Sequence, residues 1–286
     1  MTDSKSLRVD LHTHSTASDG ELAPAELVRL ALERGLTAIA LTDHDSIGGI
    51  DAAQRAARGT ALQVIPGVEL SADVSQGEVH VLGYFIDWHA ASFLAMLEKF
   101  RNGRYGRAET MTRKLAALGA PISFDRVKEI AGDGSIGRPH VAQALMEAGH
   151  VATVTEAFDK YIGRTGPAYV ERYRLTPEDA VALILRAGGV PVLAHPREVT
   201  GWVFPLVKAG MLGLEVHYGM YDDLTRAELA RLAKQYGLIA TGGSDFHGLN
   251  KMGHMNGLGE TQVPPDVVDR LRKKAETVKQ ENAASH

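Results

Sequence analysis

The 286-residue chain has no cysteine. That removes disulfides, zinc fingers, iron–sulfur clusters and thiol nucleophiles together. Any metal must be held by histidine and carboxylate. It also lacks an apolar run long enough to span a bilayer, and "MTDSKSLRVD" lacks the charged-then-apolar plan of a signal peptide. A cytoplasmic protein is the expectation, with no membrane partner. There is no excess of positive charge, the net value being -4. This argues against a dedicated binder of long duplex nucleic acid, which needs clustered Lys and Arg. Internal repeats and low-complexity tracts are absent as well. What remains, 44% hydrophobic and 23% charged residues, is the composition of a globular fold with a sizeable core.

Charge is unevenly spread. From Glu98 to Arg174 there are 13 Lys and Arg against 9 Asp and Glu, a balance of +4 that leaves -8 elsewhere. The middle of the chain reads as a separate basic lobe of helical pattern, residues 88–169, inserted into a domain made of residues 1–87 and 170–286.

On both sides of the lobe, short apolar runs alternate with amphipathic segments. Strands are expected at Leu7 to Leu11, Ala38 to Leu41, Leu62 to Ile65, Val79 to Tyr84, Val190 to Ala194, Gly213 to Val216 and Leu238 to Thr241. Helices are expected at "APAELVRLALERG", with Pro24 in the first turn and Gly35 as the stop, and at "TPEDAVALILRAGG", with Thr176 as N-cap, Pro177 at the first position and Gly188 after the end. Such alternation predicts an α/β fold with a parallel sheet, open or closed into a barrel.

Polar residues collect where these strands end, which is where parallel α/β folds build sites. "VDLHTHSTASDG" places Asp10, His12 and His14 on one face of an extended strand, because residues two apart point the same way. "LTDHDS" supplies Asp43, His44 and Asp45, "GVEL" Glu69, "EVHVLG" His80, "LAHPR" His195, and "GGSDFHG" Asp245 and His247. A lone histidine is more often a packing or capping residue than a ligand. Six such positions on a cysteine-free chain predict a centre for divalent ions, whose ligands are imidazole and carboxylate.

The ordered set "DLHTH", "SDG", "TDHD", "GVE", "VHVLG", "AHP" and "SDFH" resembles the polymerase and histidinol phosphatase (PHP) superfamily of metal-dependent phosphoesterases. The resemblance implies a distorted seven-stranded (β/α) barrel with two or three divalent ions, manganese ranking first and zinc or iron as alternatives. It implies His12, His14, Glu69 and Asp245 around a first ion, Glu69 bridging to a second with His80 and His195, and Asp19, His44 and His247 around a third. Asp10 would orient an imidazole or hold the strand. Within the lobe, "FRNGRYGRAETM", "IGRPHVAQAL" and "RTGPAYV" are similar to the branch containing nucleoside 3′,5′-bisphosphate phosphatases and RNase AM-like 5′-to-3′ exoribonucleases. That likeness implies Arg138 and His140 as phosphate-binding groups, with His140 also acting at the leaving oxygen. Arg197, Arg104 and His254 are further substrate candidates, and Arg107 adds positive field. "AHPRE" departs from relatives reading "AHPGR", which bears on Arg197. Asp245 and His247 double as catalytic residues through the ions. The implied substrates are nucleotides such as pAp and short 5′-phosphorylated RNA. Histidinol phosphate hydrolysis and a catalytically silent scaffold are the alternatives. His217 ranks below the nine ligands, and His89, His150 and His286 have no motif context.

Overall fold

The computed structural model describes residues 8–74, 77–132, 136–171, 175–249 and 257–284. Seven strands, β1 (Val9–Thr13), β2 (Ala38–Leu41), β3 (Gln63–Val74), β4 (Gly77–Tyr84), β5 (Val190–Leu193), β6 (Gly213–Tyr218) and β7 (Ile239–Gly243), form one sheet in sequence order. Just past β7, Phe246 bridges Thr13 of β1, so the sheet nearly closes into a barrel. The helices are α1 (Pro24–Glu33), α2 (Ile50–Ala57), α3 (Ala91–Ala117), α4 (Phe124–Ala131), α5 (Arg138–Glu147), α6 (Val154–Ala157), α7 (Pro177–Arg186), α8 (Val203–Lys208), α9 (Asp223–Gln235) and α10 (Asp266–Ala284). Among the described residues no helix is long and apolar enough to cross a membrane.

The sheet is not wholly parallel, contrary to the alternation pattern. β4 runs antiparallel to both β3 and β5, while the other neighbours are parallel. No helix separates β3 from β4, and a parallel return needs a crossover of about a dozen residues. A direct turn can only reverse the chain. β3 also outruns its expected end at Ile65. Pro66 is the last residue paired with β2, and Gly67 is the first paired with β4. The proline, which has no N–H to give, sits where the strand exchanges one partner for the other.

Apolar residues of β1 to β5 and β7 meet helix α10 in a shared core that includes Leu11, Ile65, Leu82, Val192 and Leu271. Local signals set the helix ends. Thr176 accepts the Asp179 N–H through its hydroxyl at 3.1 Å, Pro177 opens α7, and Gly188 ends it at φ +68°. In β7, Gly242 and Gly243 let neighbouring backbone approach. A Cβ on Gly243 would stand 2.4 Å from the His12 nitrogen and one on Gly242 would stand 2.2 Å from the His217 carbonyl oxygen.

The chain divides into two compact units, Met1–Leu94 with Leu175–His286, and Ala95–Arg174. The first turn of α3, carrying the buried Phe93, groups with the barrel unit. The second unit has its own core, with Met111, Leu115, Val127, Val141, Leu145 and Ile162 among its members. Its elements are helical, including a π-helical turn at Phe158–Ile162.

Candidate metal centre

Strand β1 and the residue just after it deliver two buried imidazoles, His12 and His14, whose ring centroids lie 5.2 Å apart. Asp10 does not orient them. Its carboxylate accepts the Ser244 N–H (2.9 Å), the Ser244 hydroxyl (2.6 Å) and the Gly259 N–H (2.7 Å), and so pins the loop after β7 to β1. Asp43 serves the next turn in the same way. It accepts the Ser15 N–H (2.7 Å) and the hydroxyls of Ser15 (2.8 Å) and Ser18 (2.7 Å), fixing the segment that carries Asp19. Burial raises the pKa of both carboxyls against these hydrogen bonds.

Glu69 lies at the middle of the cluster. Its Oε2 stands 3.3 Å from His12 Nε2, 3.3 Å from His14 Nε2 and 3.1 Å from His44 Nδ1. Oε1 faces the other way, 2.9 Å from His80 Nδ1 and 3.1 Å from His195 Nε2. Asp245 Oδ1 lies 3.3 Å from His12 Nε2 and 3.1 Å from His14 Nε2, and His247 Nε2 lies 3.3 Å from Asp19 Oδ1. His80 belongs to the antiparallel strand. Paired with Ser71, it reaches this end of the sheet from the early part of β4 rather than from a strand's C-terminus.

Ligand-type atoms converge in three groups: His12, His14, Glu69 and Asp245; His14, Asp19, His44 and His247; and His44, Glu69 and His80. His14 and His44 are thus shared between groups, which the motif-based division did not anticipate. His195 joins through Glu69 Oε1. The fit to cations rests on orphaned atoms. His12 Nε2, both nitrogens of His14, His44 Nδ1, Glu69 Oε2 and Asp245 Oδ1 are buried and make no hydrogen bond to any described residue. Buried polar atoms without partners are rare and costly. Within each group the ligand-type atoms lie within 4.8 Å of one another, a set of nitrogen and oxygen donors suited to divalent ions.

The charge distribution agrees. Burial opposes ionisation of Glu69, Asp245 and Asp19, yet the histidines around them hold all three carboxyls well below the usual range. Burial also disfavours the imidazolium of His14, but Asp245 and Glu69 raise its pKa to about 9. His44 goes the other way, pushed down to about 3 by burial and by His14 and His80. His195 and Asp245 carry positive φ angles of 27° and 55°, and Asp45 one of 48°. Strained non-glycine backbone of this kind gathers at functional sites.

Two contributors escaped motif reading. Glu215, buried in β6, accepts the His12 Nδ1–H at 2.9 Å. Tyr218 donates its hydroxyl to Asp245 Oδ2 at 3.0 Å. The available signal was a charged residue in an otherwise apolar strand, "GLEV".

Outside the cluster, Arg197 is the second residue of a 3₁₀ segment (Pro196–Trp202); its side chain is 60% exposed, with Nε 3.6 Å from Glu198. His217 is half-buried in β6, and the His89 ring lies tilted beside that of Trp88. His254 and His286 lie outside the described residues. In the helical unit, His140 Nδ1 accepts the Gly137 N–H at 2.9 Å, which leaves the proton of the neutral ring on Nε2. The Arg138 guanidinium lies over Phe158 (5.3 Å) and Tyr169 (5.9 Å), and that of Arg107 over Tyr169 (5.3 Å). Arg104 Nη1 would stand 3.8 Å from a Cβ on Gly137, so it too lies at the start of α5.

A model of the PHP domain matches residues 10–178. A 5′-3′ exoribonuclease of Haemophilus influenzae is 38% identical over 248 residues, covering 84% of this chain and 90% of the relative. A 3′,5′-nucleoside bisphosphate phosphatase of Chromobacterium violaceum is 35% identical over 266 residues, covering 90% and 93%. Among solved structures, a Bifidobacterium adolescentis protein assigned as a metal-dependent phosphoesterase aligns with a TM-score of 0.83 at 30% identity, covering 94% of this chain and 96% of its own. Family model, relatives and histidine–carboxylate cluster agree: the chain belongs to the PHP family.

Proposed function

We propose that the chain is a metal-dependent phosphoesterase that cleaves the bond between phosphorus and O3′ in 5′-phosphorylated nucleotides. The substrates are 3′,5′-nucleoside bisphosphates such as pAp and short RNA attacked from its 5′ end. The observation that carries this reading is the set of orphaned donors around Glu69 in a chain whose relatives are a bisphosphate phosphatase and an exoribonuclease. His12, His14, Glu69 and Asp245 would hold one ion, Glu69, His80 and His195 a second, and Asp19, His44 and His247 a third. Manganese is the first choice, with zinc or iron as alternatives. When bound, the ions supply Lewis-acid stabilisation of the phosphoryl oxygens and lower the pKa of water.

The chain's own residues do the rest. Glu69 keeps two groups of imidazoles at a fixed separation, and Tyr218 restrains Asp245. Water attacks phosphorus, the P–O3′ bond breaks, and O3′ takes a proton. That proton comes from solvent, and the Nε2–H of His140 is proposed to stabilise the departing O3′ by donating a hydrogen bond. Arg138, pre-organised on two aromatic rings, is the proposed partner of the 5′-phosphate, with Arg104 in support. A bidentate guanidinium suits a phosphate better than a mobile ammonium does. A cytoplasmic location goes with these substrates.

Initial rates with added manganese on pAp, 5′-phosphorylated and 5′-hydroxyl trinucleotides, and histidinol phosphate test the reading. Release of a 5′-mononucleotide from pAp and from the 5′-phosphorylated trinucleotide is expected, with the 5′-hydroxyl form nearly untouched. Faster turnover of histidinol phosphate, or cleavage beginning at the 3′ end, would overturn it. Bound metal without turnover of any of the four would favour a silent scaffold.

A further inference from the structure

We infer that Glu215 is a positioning residue that ties two of the ligand groups together. It is fully buried in β6, opposite Thr241 of β7. Each of its oxygens takes one donor. Oε1 accepts the His12 Nδ1–H at 2.9 Å, and Oε2 accepts the His195 backbone N–H at 2.7 Å.

The two donors lie on opposite sides of Glu69. His12 approaches Glu69 Oε2 and Asp245 Oδ1, whereas His195 approaches Glu69 Oε1. On the first side, a proton held on Nδ1 fixes the tautomer and leaves the Nε2 lone pair facing both carboxylates. A carboxylate behind a ligating imidazole also raises the basicity of the ligand. On the second side, His195 sits at φ 27° and ψ 59°, a backbone conformation unfavourable for a side-chain-bearing residue. A charge-assisted bond from its N–H holds it there. Two further buried carboxylates beside the cluster, Asp10 and Asp43, receive backbone N–H groups and hydroxyls. Glu215 reaches a ring nitrogen of the cluster as well, so its loss acts on ligand geometry and not on loop anchoring alone.

Glu215→Gln discriminates this role from simple packing. The side chain keeps its size but has one acceptor and one donor end, so either the His12 Nδ1–H or the His195 N–H must face an amide N–H. The inference rests on the cluster being a metal centre, and the readout is zinc binding to the full chain. Chelator-competition titration should show zinc affinity about 10- to 100-fold weaker in the variant, the range for losing such an outer partner. Nitrogen-15 spectra of the zinc-loaded wild type should show a protected proton on His12 Nδ1, and that signal should be lost or displaced in the variant. Zinc affinity within about twofold of wild type, even with a lowered melting temperature of the metal-free variant, would overturn the assignment. Should the variant not fold, the wild-type spectrum alone decides, because zinc on His12 Nδ1 or an unprotected Nδ1 proton is incompatible with it. Wild-type protein that binds zinc but hydrolyses no phosphoester would sink the proposed function and leave Glu215 in its role.

Discussion

Tyr218 donates its hydroxyl to Oδ2 of Asp245 at 3.0 Å, leaving Oδ1 as the oxygen that faces His12 and His14. Because Asp245 also sits at a positive φ, that hydrogen bond limits which oxygen the centre can use. Tyr218→Phe should reduce kcat by roughly 10-fold, corresponding to about 1.5 kcal/mol for a hydrogen bond to a charged group. Metal content measured by elemental analysis should fall less than activity. An unchanged kcat would detach Tyr218 from the centre.

Glu69 touches five histidines through two oxygens. One carboxyl group thus serves both sets of imidazoles, so Glu69→Gln should be the most damaging conservative change. Its cost in metal affinity should exceed about 100-fold, beyond the range for an outer partner. Elemental analysis after desalting should find less than the wild-type stoichiometry. Full occupancy with near-normal turnover would remove the bridging role.

For Arg138, the expected consequence of Ala substitution is selective. Loss of a charged hydrogen bond costs about 1.5 to 3 kcal/mol, so kcat/KM on 5′-phosphorylated substrates should fall by roughly 10- to 150-fold. Zinc or manganese content should be unchanged. Equal losses on 5′-phosphorylated and 5′-hydroxyl trinucleotides would assign Arg138 to the fold instead.

The metal-free protein should lose stability as pH rises. Burial works against charging His14 and His80, but neighbouring carboxylates carry their pKa values up to about 9 and about 10. In the unfolded chain both return to about 6.5. The folded state therefore binds more protons above that pH, and the stability they contribute is complete below about 6.5 and disappears towards 9 to 10. His44, depressed to about 3, has the opposite slope but only below about 6.5. Melting temperatures in chelator at rising pH should fall more steeply than those of the metal-loaded protein, whose ligands have already given up their protons. Parallel curves would contradict the charge distribution described for the cluster.

Much of this molecule is legible in its sequence because its signals are local. β2 begins and ends where its short apolar run puts it, and the Thr176, Pro177 and Gly188 signals bracket α7. The histidine motifs are short, and the strands carry them to one end of the sheet. What escaped depends on partners distant in the chain. Periodicity decides which face a residue takes but not the direction of the neighbouring strand, so the reversal of β4 was hidden. Pro66 and Gly67 look like a strand end because the exchange of partners at that point is a tertiary fact. Glu215 is one carboxylate in a buried strand, and its meaning comes from a histidine 203 residues away.

The nearly closed barrel also governs when the centre can come into being. His12 stands near one end of the chain and Asp245 near the other, and they meet only where Phe246 returns to β1. Contacts of such long sequence separation are entropically expensive and form late. A partly folded chain that has built β1 to β4 owns His12, His14, His44, Glu69 and His80 but lacks Asp245, His195 and the hold of Glu215. Tight ion capture would therefore mark completed folding, and scarce metal would leave the last closure, rather than the early sheet, without its reinforcement.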